Sequence, residues 1–104
     1  MKELVFLLYL SQIYYTSLLS YQGQVAVQDG DFVGADAYFQ QVADRQKQVF
    51  GEHSVFYAEA LNRLGEFYCT VGEYELAADY MLRTKDLREQ ILGKRSVGRS
   101  EERR

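Results

Sequence analysis

The chain has 104 residues, 47% of them hydrophobic and 26% charged, with a formal net charge of -3. This is enough for one folded domain and excludes a disordered or fibrous chain. There is no proline, and the single cysteine, Cys69, excludes an internal disulfide framework. The mild acidity argues against a nucleic-acid partner, and none is expected.

Residues 1–10 open the chain with Lys2 followed by the apolar run Leu4-Val5-Phe6-Leu7-Leu8-Tyr9-Leu10. The run is too short to cross a bilayer, so no membrane span is expected. It resembles the apolar region of a signal peptide, but Glu3 sits where positive charge belongs and no small-x-small cleavage site follows. A second reading comes from a repeat. Shifted by 42 residues, the chain lines up with itself: Gly23 on Gly65, Gly30 on Gly72, Ala35 on Ala77, Tyr38 on Tyr80 and Gly51 on Gly93. In that register residues 1–10 fall on residues 43–52, the end of a helix. They are therefore expected to be part of a preceding repeat, and a cytoplasmic location follows. Secretion or a periplasmic location is the alternative if residues 1–20 act as a signal. Leu4, Val5, Leu7, Leu8 and Tyr14 offer a surface for self-association.

A fixed period of this size marks stacked supersecondary units. Repeat 1 covers residues 11–52 and repeat 2 residues 53–94, each a pair of helices: 13–28 with 32–50, and 55–70 with 74–92. In the third helix Ala58, Leu61, Leu64, Gly65, Tyr68 and Val71 recur at three- and four-residue spacing, one buried face. The second helices carry Ala35, Phe39, Val42, Gln46 and Val49, then Ala77, Met81, Thr84, Leu87, Ile91 and Leu92. Gly30 and Gly72 suit a left-handed helix end. Gly51 and Gly93 are expected to end the second helices, while Asp31 and Ser54 suit N-caps. Gly23 and Gly65, with Ala35 and Ala77, are read as small residues that let paired backbones approach. Residues 95–104 lack apolar residues beyond Val97 and carry Arg95, Arg99, Arg103 and Arg104 against two glutamates; they read as a disordered basic tail.

These residues resemble the tetratricopeptide repeat. Leu61, Leu64-Gly65, Tyr68, Ala77 and Met81 stand in the family's Leu, Leu-Gly, Tyr, Ala and Phe slots, and Leu19, Gly23, Ala35 and Phe39 answer them in repeat 1. The usual unit has roughly 34 residues. The longer unit here is similar to the branch found in kinesin light chains, although Ser54 and Ser96 stand where that branch often has proline. The resemblance implies an all-α fold of antiparallel helix hairpins stacked as a short right-handed α-solenoid.

It also implies a non-enzymatic scaffold for a protein or peptide whose identity stays open. First helices line the concave wall of such a stack. The candidate groove positions are Ser17, Ser20, Gln24 and Gln28 in repeat 1, and Glu59, Asn62, Glu66 and Thr70 in repeat 2; Val27 and Cys69 lie on the same faces. Asn62 matches a slot that contacts peptide backbone in the family, and its amide can both donate and accept. The face reads as polar and mildly acidic. With no lysine or arginine among these positions, a clamp for a terminal carboxylate is not expected. The alternative reading is a structural or oligomerisation segment of a longer array with no ligand of its own. No catalytic motif, cofactor or metal site is expected: His53 and Cys69 are single residues without partners at catalytic or zinc-ligand spacing.

Overall fold

The structure, a computed structural model, describes residues 2–102, with side chains over residues 2–93. Four helices follow one another: α1 (Lys2–Gln28), α2 (Phe32–Phe50), α3 (Val55–Thr70) and α4 (Tyr74–Glu102). Each packs on the next, and α1 and α3 do not pack on each other. The architecture is an all-α solenoid of two helix hairpins.

The turns within the hairpins close by the same chemistry. Gly30 has φ +79° and Gly72 φ +87°. Beyond each, a backbone N–H reaches back to the last helical turn, Asp31 to the Ala26 carbonyl at 2.8 Å and Glu73 to the Tyr68 carbonyl at 2.8 Å. These are paired helix-end bonds that only a left-handed residue permits. Asp31 Oδ1 accepts from the Gly34 N–H at 3.0 Å, and Ser54 Oγ accepts from the Tyr57 N–H at 3.0 Å, so both act as N-caps.

The core follows the helical periods. α1 buries Thr16, Leu19, Gly23 and Ala26 in one stripe against α2. α3 is buried on two sides because it has two neighbours. Ala58, Leu61 and Leu87 form one cluster with α4, while Ala60, Leu64 and Phe67 join Phe39, Val42 and Ala43 of α2 in the larger one. Ala60 and Phe67 fall outside the single stripe read from the sequence, since that reading considered only the partner within the hairpin. Of the α4 stripe, Ala77, Thr84 and Leu87 are buried, whereas Met81 and Leu92 are exposed.

The glycines at mid-helix act differently from the expectation. A Cβ on Gly23 would lie 2.8 Å from Phe39 Cε1, and one on Gly65 would lie 3.1 Å from Met81 Cε. Each glycine makes room for a large side chain of the paired helix. It is not a meeting point of two bare backbones.

Two helices run on where the repeat register calls for a break. Gly51 ends α2 at φ +93°, but the aligned position in the segment before repeat 1 is Tyr9. A tyrosine there cannot adopt that backbone cheaply, so α1 passes through uninterrupted. At the other end Gly93 has no positive φ and α4 continues to Glu102. Gly51 reverses the chain so that α3 can pack on α2. The backbone is thus helical over most of the segment expected to be a disordered tail; the side chains of residues 94–104, and residues 103–104 altogether, lie outside the described residues.

The continuity of α1 also bears on the membrane expectation. That expectation counted residues 4–10 alone, whereas the whole helix Lys2–Gln28 is long and apolar enough to cross a bilayer by length and composition.

Candidate binding groove

α1 and α3, the first helices of the two hairpins, form two walls over a floor of α2. Two adjoining depressions run between them. The first, about 320 Å³, is lined by Ser17, Ser20, Tyr21 and Gln24 of α1 and by Glu59 and Arg63 of α3, with Thr16, Val42, Gln46 and Ala60 beneath. The second, also about 320 Å³, continues with Gln24, Val27 and Gln28 facing Arg63, Glu66 and Thr70, over Phe39 and Phe67. Gln24 and Arg63 belong to both, so the two depressions form one groove.

The geometry brings together Ser17, Ser20, Gln24, Gln28, Glu59, Glu66 and Thr70. It leaves out Asn62, which is half-buried and lines neither depression, and Cys69, which is exposed beside the groove. The row on α3 that faces α1 is Glu59, Arg63, Glu66 and Thr70, at steps of four, three and four residues. Asn62 sits one position to the side of it.

The sequence reading missed two wall residues, Tyr21 and Arg63, and only Arg63 is charged. Arg63 lies four residues after Glu59, one turn along the same face, so a helical projection started from Glu59 would have found it. Its Nε is 3.6 Å from Glu59 Oε1, and Arg88 Nη2 donates to Glu59 Oε2 at 3.2 Å. Glu59 is therefore held between two guanidinium groups, and the carboxylate free of such a pairing in the α3 row is Glu66. The named positions contain no basic residue, but Arg63 brings one into the groove. All three partners are about half exposed, so each pair contributes at most about 1 kcal/mol and chiefly fixes side-chain positions.

The floor holds one polar pair. Gln46 Nε2 donates to Thr16 Oγ1 at 3.4 Å, and Thr16 Oγ1 donates to the carbonyls of Gln12 and Ile13 at 3.0 and 3.1 Å. Gln46 Oε1 is buried without a partner in the protein.

Behind the groove, one network ties α2, α3 and α4 together. Tyr68 Oη donates to Asp36 Oδ1 at 2.7 Å and accepts from Gln40 Nε2 at 3.2 Å; Gln40 also reaches Tyr80 Oη at 3.3 Å. Burial, reinforced by the hydrogen bond to Asp36, pushes the Tyr68 hydroxyl from its usual 10.0 up to about 12. The Tyr68 and Tyr80 rings stack at 5.5 Å. This network fixes the second hairpin against the first, and with it the spacing of the groove walls.

Hairpins of this form, a glycine packed under a large residue of the paired helix, and a groove between first helices point to one repeat type. The family model for the tetratricopeptide repeat matches residues 14–90. The chain belongs to the tetratricopeptide repeat family. No curated protein and no solved structure matches it. Tetratricopeptide repeats are non-enzymatic scaffolds that mediate protein–protein interaction. Among the described residues no group of three or more His, Cys, Asp or Glu side chains could hold a metal.

Proposed function

We propose that the groove between α1 and α3 holds an extended segment of a protein partner. The observation that supports this reading most directly is the continuity of the two depressions. Walls rich in hydroxyl and amide groups stand over an apolar floor of Val42, Phe39 and Phe67. From Glu59 to Thr70 the wall extends over roughly 16 Å of helix, room for roughly five residues of extended chain. Side-chain amides at Gln24 and Gln28 can donate and accept at once, which suits recognition of a peptide backbone. With Glu59 engaged, Glu66 supplies the electrostatic bias, and it favours a neutral or basic segment. The 42-residue unit is of the long-repeat, kinesin-light-chain-like kind in this reading.

The test is binding to a peptide array by the native chain, a Gln24→Ala, Glu66→Lys variant and an Asn62→Ala variant. Loss of basic peptides in the first variant, with Asn62→Ala unchanged, is the expected result. Equal binding by all three chains would place recognition outside this groove.

A second reading, a structural or oligomerising segment of a longer array, is favoured by the outer face of α1. In the repeat register Tyr14 and Leu18 correspond to Phe56 and Ala60. The latter face α2 inside the chain, where Phe56 stacks on Phe50 at 4.2 Å and Ala60 is buried, whereas Tyr14 and Leu18 are exposed. Another helix packed there, from a further repeat or a second copy, would continue the stack.

A further inference from the structure

The end of the molecule where α2 stops and α3 starts carries two helical projections. Phe50, the last residue of α2, stacks on Tyr9 of α1 at 5.4 Å and on Phe56 of α3 at 4.2 Å. Tyr9 therefore marks the level of this end, and residues 2–8 of α1 extend past it by roughly 10 Å. On α4, Ile91 packs on the cluster of Ala58 and Leu61 near the start of α3, and the helix continues to Glu102. Residues 94–102 thus project from the same end by roughly 13 Å.

The two projections have complementary chemistry for a single kind of surface. Leu4, Val5, Phe6, Leu7 and Leu8 are each at least 50% exposed. Successive residues point roughly 100° apart around a helix, so five in a row are apolar on every side. A partner protein would cover one stripe, such as the one that α1 already buries against α2. A helix that is apolar all round belongs in a core or in lipid. The neighbouring projection begins with a basic stretch: residues 94–100 contain Lys94, Arg95 and Arg99 and no acidic residue. The rest of the chain is acidic, so positive charge is concentrated at the end where the apolar tip lies.

We propose that this end docks on an anionic phospholipid surface, with residues 4–8 of α1 inserted at the headgroup–acyl boundary and the basic end of α4 held against the headgroups. The depth matches: interfacial helices bury their apolar residues by roughly 5–10 Å, and residues 4–8 span roughly 7.5 Å of helix. A full crossing by α1 would strip Thr16, Leu19, Gly23 and Ala26 from α2, whereas shallow insertion leaves the hairpin intact. Apolar insertion and basic attraction together supply the two signals that stable membrane association needs. The groove between α1 and α3 stays open to a protein partner.

The experiment is sedimentation of the full chain with vesicles of phosphatidylcholine, alone or mixed with phosphatidylserine. Binding to the mixed vesicles is expected, weaker on the order of a hundredfold with neutral ones, and reduced by added salt. Phe6→Gln with Leu8→Gln removes insertion, and Arg95→Gln with Arg99→Gln removes attraction. Each pair is expected to lower binding more than about tenfold, with the far-UV circular dichroism of the Phe6/Leu8 pair unchanged because both side chains are exposed. The chain has no tryptophan, so Phe6→Trp gives a single tryptophan, excitable apart from the tyrosines, whose fluorescence shifts to the blue on mixed vesicles. No sedimentation with either vesicle would overturn the proposal. So would a chain that is dimeric without lipid and becomes monomeric through Phe6→Gln and Leu8→Gln, since a second copy would then be what covers the tip.

Discussion

Gly23 and Gly65 occupy the same register in the two repeats, yet replacing each by alanine is expected to have unequal consequences. In both helices alanine removes the glycine penalty, a gain of about 1 kcal/mol. The opposing effect is local. The new methyl at position 23 would sit 2.8, 2.9 and 3.2 Å from three atoms of the Phe39 ring. Phe39 is itself buried, and its ring lies 5.4 Å from that of Phe67, so it cannot swing aside without disturbing the core between the hairpins. Overpacking of this kind costs about 1–3 kcal/mol, which leaves Gly23→Ala destabilised by up to about 2 kcal/mol. At position 65 the nearest atoms belong to Met81, at 3.1 to 3.2 Å, and Met81 is flexible and partly exposed. There the terms cancel, and Gly65→Ala is expected within about 0.5 kcal/mol of the native chain. Urea unfolding followed by circular dichroism measures both. A Phe39→Met change in the Gly23→Ala background rebuilds the Gly65–Met81 arrangement and should show a coupling of about 1 kcal/mol in a double-mutant cycle. A Gly23→Ala chain more stable than the native one, or additive effects in the cycle, would refute the account of these glycines as seats for a side chain.

Two further outcomes follow from the same geometry. The raised Tyr68 pKa means that the folded state holds this proton more tightly than the unfolded one. Its contribution is complete below pH 10 and is lost as pH rises toward 12, a loss of at most about 2–3 kcal/mol. Tyr68→Phe should cost about 1 kcal/mol at neutral pH and show a smaller loss over that alkaline window; parallel curves for the two chains would contradict the assignment. Gly51→Ala and Gly93→Ala, aligned by the repeat, should differ in sign. The first forces a side chain into φ +93° and ψ 163° and costs about 1–3 kcal/mol. The second removes a glycine from a helix and stabilises by up to about 1 kcal/mol; thermal melts of the two variants check both.

The register between repeats also explains what could be read before the structure. Periodicity marks a helix wherever an apolar stripe meets one partner, so the four helices and most of the hairpin core were legible from residues such as Ala35, Leu64 and Leu87. Ala60 and Phe67 were hidden, because their burial depends on α2 of the neighbouring hairpin. The groove was partly legible: one face of α3 was located, but Asn62 and Arg63 point roughly 100° apart around the helix, and the direction of α1 decides which of them lines it. The ion pair from Arg88 to Glu59 depends on the packing of α4 on α3, and no local signal carries it.

The sequence by itself determined the hairpins, because helix period, capping side chains and left-handed glycines act within a few residues of one another. The tertiary structure decided where repetition stops mattering. Tyr9 and Gly93 sit at positions aligned with the sharp turn at Gly51. That turn needs both a residue tolerant of positive φ and a following helix to pack against. Tyr9 lacks the first, and α1 runs straight through its position; Gly93 could supply it but lies within α4 without a positive φ, so a tolerant residue does not by itself make the turn.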